Sequence, residues 1–360
     1  MSRGKPAIGD GKEGQLRELL KAAKAAPRID APRLALARWL EKNGSPRRAE
    51  FIRIQCARAN LRYGSPKERQ LGNREQTILK MNKRRWLQPF AVFIARRMCR
   101  PVEFARGLIE IDASVDMLLS SVHALSQGTA WAWVDRLVLF AVSATQAVQL
   151  VDCGLLGELS FLALEGKDYY EDYADGLAAL CGPGRLKLLR DLELLHCRMS
   201  GNGVRFLASS PLLPQLRRLD LSECGLEPAD VTTLVESPGI FNLTTLGLSY
   251  NKIGDCGVRC FVAGFRQSHL ETLDLSGCGL TADGVAALAD WPGLGSVRTL
   301  KLGSNDIGIA GVLALAVSPH IGKLRELVMD TDLDDGEAMM AAVAAKRSIA
   351  SFRRIKIVGP

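Results

Sequence analysis

Several groups of residues in this 360-residue chain have types and spacings that suit chemistry. Gly9-Asp10-Gly11-Lys12-Glu13-Gly14 spells G-x-G-x-x-G, the pattern whose backbone amides cradle a pyrophosphate at a strand-to-helix turn. No strand pattern precedes it and its surroundings are polar, so a nucleotide site is not expected. The acidic run Asp330, Asp332, Asp334, Asp335, Glu337 opens like a calcium loop, but Gly336 comes one place late and Ala341 stands where a bidentate acid must close the loop. A solvated loop is the expectation there. Cys256 and Cys260, four apart on an expected helix, offer two metal ligands, yet no His or third Cys lies nearby in the repeat. His123, His196, His269 and His320 fall in different stretches; His196, beside a turn, is the most suggestive, but no nucleophile, base and orienting group come together. These residues predict a chain that is not an enzyme, with no metal, cofactor or small-molecule substrate.

Two basic clusters weigh more. Lys83, Arg84 and Arg85 adjoin Trp86, and Arg96, Arg97 and Arg100 follow Phe93, so guanidiniums could grip phosphates while a ring stacks on a base. RNA or another anionic surface is one reading; a solvated helix face, or docking onto an acidic part of the same chain, is the other. The net charge of +8 is divided unevenly: residues 1–106 hold 26 Lys and Arg against 9 Asp and Glu, and the remainder holds 21 against 30. Two modules of opposite sign follow. With 47% apolar and 24% charged residues the composition is that of a folded protein. There is neither an apolar run long enough to span a membrane nor a signal-like start, and the nine cysteines show no C-x-x-C pairing. The expectation is a soluble cytoplasmic protein with reduced thiols and no membrane contact.

The elements that must position these residues are set by a repeat. Leu216, Leu219, Leu221, Cys224 and Leu226 spell L-x-x-L-x-L-x-x-C-x-L. The pattern returns 27 residues on at Leu243, Leu246, Leu248, Asn251, Ile253, then at Leu270, Leu273, Leu275, Cys278, Leu280, and at Val297, Leu300, Leu302, Asn305, Ile307; one period earlier stand Leu189, Leu192, Leu194, Cys197, Met199. The period-two alternation makes a short strand with its leucines facing inward, and the Asn or Cys after it can bond turn backbone that is buried in the stack. In the second half, Gly257, Val258 and Phe261 and their equivalents suit the inner face of a helix. Weaker strands are expected at Leu108–Ile111, Val134–Leu139, Leu159–Leu164, Leu324–Met329 and Phe352–Ile357, about ten in all.

This pattern resembles the leucine-rich repeats of the ribonuclease-inhibitor type, shared with the Ran GTPase-activating protein, and the alternation of Cys and Asn at the turn is similar to the two repeat types of that inhibitor. The resemblance implies an α/β fold, a solenoid with a parallel concave sheet and convex helices. In such solenoids the side chains between the inward leucines leave the concave face, which here gives Arg217, Arg218, Asp220, Thr245, Tyr250, Glu271, Asp274, Arg298 and Lys301. Mixed signs around one exposed aromatic suit another protein as partner better than a polyanion. A regulator of a GTPase, like the Ran activator, is the alternative, resting on likeness of repeats alone.

Gln15–Leu61, with Asp30-Ala31-Pro32-Arg33-Leu34, Arg38-Trp39-Leu40-Glu41 and Ala49-Glu50-Phe51-Ile52-Arg53-Ile54-Gln55, resembles the repeat-companion domain at the head of many planctomycete repeat proteins. Phe104-Ala105-Arg106-Gly107 is similar to that family's junction, while Arg38 stands where the family usually has an acid. Three or four helices are expected, with Asp30 and Ser45 as caps and Leu34, Ala37, Trp39 and Leu40 packing on Phe51, Ile54 and Cys56. The expected organisation is a disordered terminus over 1–12, a small basic all-helical module over 13–100 and the solenoid over 101–360.

Overall fold

The computed structural model describes residues 10–94, 102–265, 269–330 and 354–358. The chain divides into two compact units, one drawn from residues 1–140, 152–162 and 186–189, the other from residues 141–151, 163–185 and 190–360. The helical head and the first strands therefore share a unit, and no boundary falls at residue 100.

In the first unit, α1 (Asp10–Ala25), α2 (Ala31–Lys42), α3 (Pro46–Ala59), α4 (Pro66–Trp86) and the single turn α5 (Ala91–Ile94) precede β1 (Glu103–Ala105) and β2 (Leu108–Ser114). Helix α1 thus starts at Asp10, inside the stretch expected to be disordered. Prolines open α3 and α4, where a missing N–H leaves no helical bond unmade. Ser65 caps α4 by accepting from Glu68 N at 3.3 Å. Asp30 and Ser45 occupy the cap positions of α2 and α3 but make no side-chain cap bond. The Asp30 carboxylate is drawn instead to Asn60 Nδ2 (2.7 Å) and Arg106 Nη1 (3.2 Å). Leu16, Leu20, Leu36, Leu40, Ala49 and Ile52 form one apolar cluster with Leu108 and Ala132, so the helices pack directly on the first strands. Leu34, expected in that core, is exposed, because α2 turns Arg33, Leu36, Ala37 and Leu40 inward.

The junction Phe104–Gly107 is a hairpin that the repeat pattern did not announce. β1 runs antiparallel to β2 through Arg106 (φ 45°) and Gly107 (φ 90°). Glycine is required at 107: a Cβ there would lie 2.4 Å from Ile52 Cγ1. Both polar groups of that glycine are taken by α3, its N–H donating to Gln55 Oε1 (2.6 Å) and its carbonyl accepting from Arg48 Nη2 (3.0 Å). After α6 (Val115–Leu125), β3 (Val134–Val142) lies parallel to β2.

The second unit repeats one strand–helix step: α7 (Ala144–Asp152), β4 (Phe161–Gly166), α8 (Ala174–Leu180), β5 (Asp191–Leu195), α9 (Gly201–Ala208), β6 (Arg218–Asp220), α10 (Pro228–Val235), β7 (Thr245–Gly247), α11 (Gly254–Gly264), β8 (Thr272–Asp274), α12 (Ala282–Ala289), β9 (Thr299–Lys301), α13 (Gly308–Val317), β10 (Glu326–Asp330) and β11 (Arg354–Val358). From β5 to β11 neighbours are parallel, and from β5 to β10 they keep the 27-residue register of the repeat, Leu192, Leu219, Leu246, Leu273, Leu300 and Leu327 standing opposite one another. These leucines are buried, as are Val204, Val258, Val285 and Val312 on the helices behind them. The expected α/β solenoid of leucine-rich repeats with a helical head is the observed architecture.

The turn residues close the stack. Asn251 Nδ2 donates to the carbonyls of Leu221 (2.8 Å), Leu248 (2.9 Å) and Ser249 (3.3 Å), while its Oδ1 accepts from Cys224 N (3.0 Å) and Leu226 N (2.9 Å). Asn305 makes the same set one double period later. In the alternate repeats Cys224 Sγ donates to Leu194 O (3.0 Å) and Cys278 Sγ to Leu248 O (3.2 Å). Burial pushes the thiols of Cys197 and Cys278 up to about 12 and that of Cys224 well above its ordinary value. A thiolate is the nucleophile, so these cysteines are chemically quiet.

Candidate functional site

Alternation along each strand aims one residue on either side of the buried leucine away from the core. Two rows result on the open face of the second unit's sheet. The first reads Asp191, Arg218, Thr245, Thr272, Thr299 and the second Glu193, Asp220, Gly247, Asp274, Lys301. Thr272, Thr299, Asp191 and Glu193 join the expected set by the same spacing of 27 that identified Thr245 and Lys301. Arg217, Glu271 and Arg298 precede the strands, and Arg217 Nη1 donates to Asn242 O at 2.9 Å.

Most of the charges on this face meet each other. Arg218 Nε lies 2.9 Å from Glu193 Oε1, an ion pair not aligned as a hydrogen bond. Lys301 Nζ reaches Asp274 Oδ2 at 3.0 Å, and Arg298 Nη2 stands 3.7 Å from Glu271 Oε1. Asp220 and Asp274 each turn one oxygen back to the serine two residues on, accepting from Ser222 and Ser276 N at 3.1 Å and from their hydroxyls. Gly247 is buried under its neighbour: a Cβ there would sit 2.6 Å from the Asp220 carboxylate. Between the paired charges lies a neutral stretch formed by Thr245, Gly247, Thr272 and Tyr250.

A third row escaped the sequence reading as a row. The residue before each turn Cys or Asn takes a left-handed backbone: His196 (φ 55°), Glu223 (φ 56°), Tyr250 (φ 56°), Gly277 (φ 62°) and Ser304 (φ 55°). Their side chains line one lip of the sheet. His196 Nε2 lies 3.4 Å from Glu223 Oε1. Tyr250 is 53% exposed, which marks it as the large ring of the face. It lies along the lip over Gly277, where a Cβ would come within 2.5 Å of Tyr250 Cδ1, and its hydroxyl is 3.4 Å from the Ser304 hydroxyl. The ring thus lies against Gly277 with its hydroxyl beside that of Ser304.

The other chemistry-bearing groups are not brought together. Lys83, Arg84 and Arg85 are exposed on the last turn of α4. Trp86 packs among Phe51, Phe104 and Arg48, and Phe93 is buried, so neither ring is presented for stacking. Arg96, Arg97 and Arg100 lie outside the described residues, as does most of the acidic run after Asp330. Cys256 is exposed and Cys260 half-buried, and among the described residues no group of three or more His, Cys, Asp or Glu could hold a metal ion. No helix among them is long and apolar enough to cross a membrane.

Residues 240–262, 266–289 and 296–316 match the family model described as leucine-rich repeat. No curated protein matches the chain. Among solved structures it is similar to a protein from Bacteroides fragilis, at 14% identity and a TM-score of 0.39 over 66% of this chain and 68% of that one. It is also similar to the yeast Rad7 and Elc1 complex, at 14% identity and a TM-score of 0.31 over 82% of this chain and 94% of that one. The family match, the common register of β5–β10 and the recurring turn bonds agree: this chain carries leucine-rich repeats.

Proposed function

We propose that the open strand face of the second unit is a protein-docking surface centred on Tyr250, and that the chain works as a non-enzymatic scaffold. The observation that carries this reading is the exposed Tyr250 ring seated on Gly277 beside the neutral Thr245 and Gly247 rung, with internally paired charges around it. A pre-positioned aromatic with a polar rim is how protein interfaces concentrate their binding energy. Charges already paired on the free face favour registry of a partner more than raw affinity. Arg217, Arg218, Asp220, Glu271, Asp274, Arg298 and Lys301 form that rim, and Thr245 and Tyr250 lie within it.

The test is affinity capture from the native cell with the full chain, followed by direct titration of the captured protein. Tyr250→Ala is expected to weaken binding by about 2 kcal/mol, roughly 30-fold in Kd, and joint reversal of Arg217, Arg218 and Arg298 to Glu to abolish capture. Capture unchanged by both variants would place the docking surface elsewhere. A GTP hydrolysis assay on small GTPases of the same cell separates the regulatory alternative, which requires acceleration that a scaffold does not give.

A further inference from the structure

The first unit contains a pocket of about 470 Å³, the size of a small-molecule site, lined by Arg48 and Arg85 with Glu13, Gln88, Thr129 and Trp133. Arg48 is the notable wall. It is 6% exposed, and its guanidinium lies within a ring of aromatics, 4.5 Å from the Trp133 centroid, 4.6 Å from those of Trp86 and Phe104 and 5.7 Å from that of Phe51. Its Nη2 donates to Gly107 O, but Nη1 is buried without a hydrogen-bond partner among the described residues.

The other inward cations of this unit have acids near them. Arg58 is held by Glu68 and Glu75, and Lys24 has Asp135 and Glu158 close by. Among the described residues no acid is paired with Arg48, and burial drives its guanidinium down to about 9. Aromatic faces compensate part of such a charge, but a desolvated N–H left unbonded still costs stability. An anion entering the pocket would supply what is missing. Two guanidiniums on different helices suit a group that carries nearly two charges and oxygens in several directions. A phosphate monoester meets both conditions at neutral pH; a carboxylate carries one charge and fits a single guanidinium fork.

We propose that this pocket binds a small organic phosphate, with Arg48 and Arg85 taking the phosphoryl oxygens and Glu13, Gln88 and Thr129 taking hydroxyls of the ester. The site is independent of the docking face on the repeats. Its size excludes a folded macromolecule, and a nucleic-acid strand would instead lie along the exposed Lys83 and Arg84.

The test is calorimetric titration of the full chain with glucose 6-phosphate, inorganic phosphate, unphosphorylated glucose and an RNA oligonucleotide. Both phosphates are expected to saturate in or below the millimolar range, the ester more tightly, and glucose not at all. Arg85→Gln should weaken both phosphates about tenfold, the worth of one charge-assisted contact, with an unchanged urea midpoint. Arg48→Lys, which keeps the charge but loses the fork, should weaken them as well, and Arg84→Gln should leave them unchanged. The proposal fails if neither phosphate saturates, if glucose binds as well as its phosphate, if Arg85→Gln binds like the wild type, or if RNA alone gives heat.

Discussion

In the regular repeats each buried turn is closed by one short side chain, Asn251 or Cys224 and their equivalents, at the same place in every 27-residue step. In the helical head the corresponding need falls to long cations placed individually: Lys24 Nζ donates to the carbonyls of Val134 (2.6 Å) and Glu158 (2.7 Å), Arg48 holds Gly107, and Arg58 spans Glu68 and Glu75. A periodic backbone presents the same unpaired groups again and again, so one residue type answers all of them. Helices meeting the first strands leave carbonyls at unrelated distances, which only extended, multi-donor side chains can reach. Part of the strong positive charge of the head is thus internal structure, and a count of Lys and Arg overstates how much is available to an outside anion.

Asn251→Ala leaves its five hydrogen-bond contacts unmade in a buried turn, and a loss of about 4 kcal/mol in urea unfolding is expected. A loss no larger than that of a cysteine variant would break the view that the amides dominate the stack. The head should respond to pH instead. Burial lowers Lys24 to about 8 from 10.5, so between those values the folded chain sheds its proton before the unfolded chain does, and unfolding then binds a proton. Stability attributable to Lys24 therefore rises with pH across that window, by about 3 kcal/mol, relative to Lys24→Met. The check is the difference in unfolding free energy between the two proteins at pH 7.5 and pH 10.5; a constant difference would contradict it. Cys224→Ala removes one weak donor and a little volume, and should lower stability by about 1–2 kcal/mol. Gly277→Ala is the smallest in stability, about 1 kcal/mol from its left-handed backbone, yet it displaces the Tyr250 ring. It should reduce partner binding nearly as far as Tyr250→Ala while leaving the melt almost unchanged.

What could be read in advance follows the same division. The regular strands, their register and the roles of Asn251 and Cys224 were legible because from β5 to β10 a residue and its neighbour in the stack are 27 apart. The rings around Arg48 come from positions 51, 86, 104 and 133, which no period connects. The Arg106–Gly107 hairpin was missed because a three-residue strand has too few alternations to show a pattern. Asp30 was found at its cap position, but its bonds go to Asn60 and Arg106, long-range neighbours that outweigh a local preference. The docking candidates were partly legible: Tyr250 stood out by type, whereas its seat on Gly277 required knowing that both backbones are left-handed.

That left-handed row constrains how this protein can change. A non-glycine residue there strains the backbone by on the order of 1 kcal/mol, and His196, Glu223, Tyr250 and Ser304 all accept the strain. Glycine at each place would relax the chain and leave the lip blank. Under the proposed docking role, selection for a sturdier fold and selection for a recognisable face act in opposite directions on the same few positions, and side chains there come at a cost in stability.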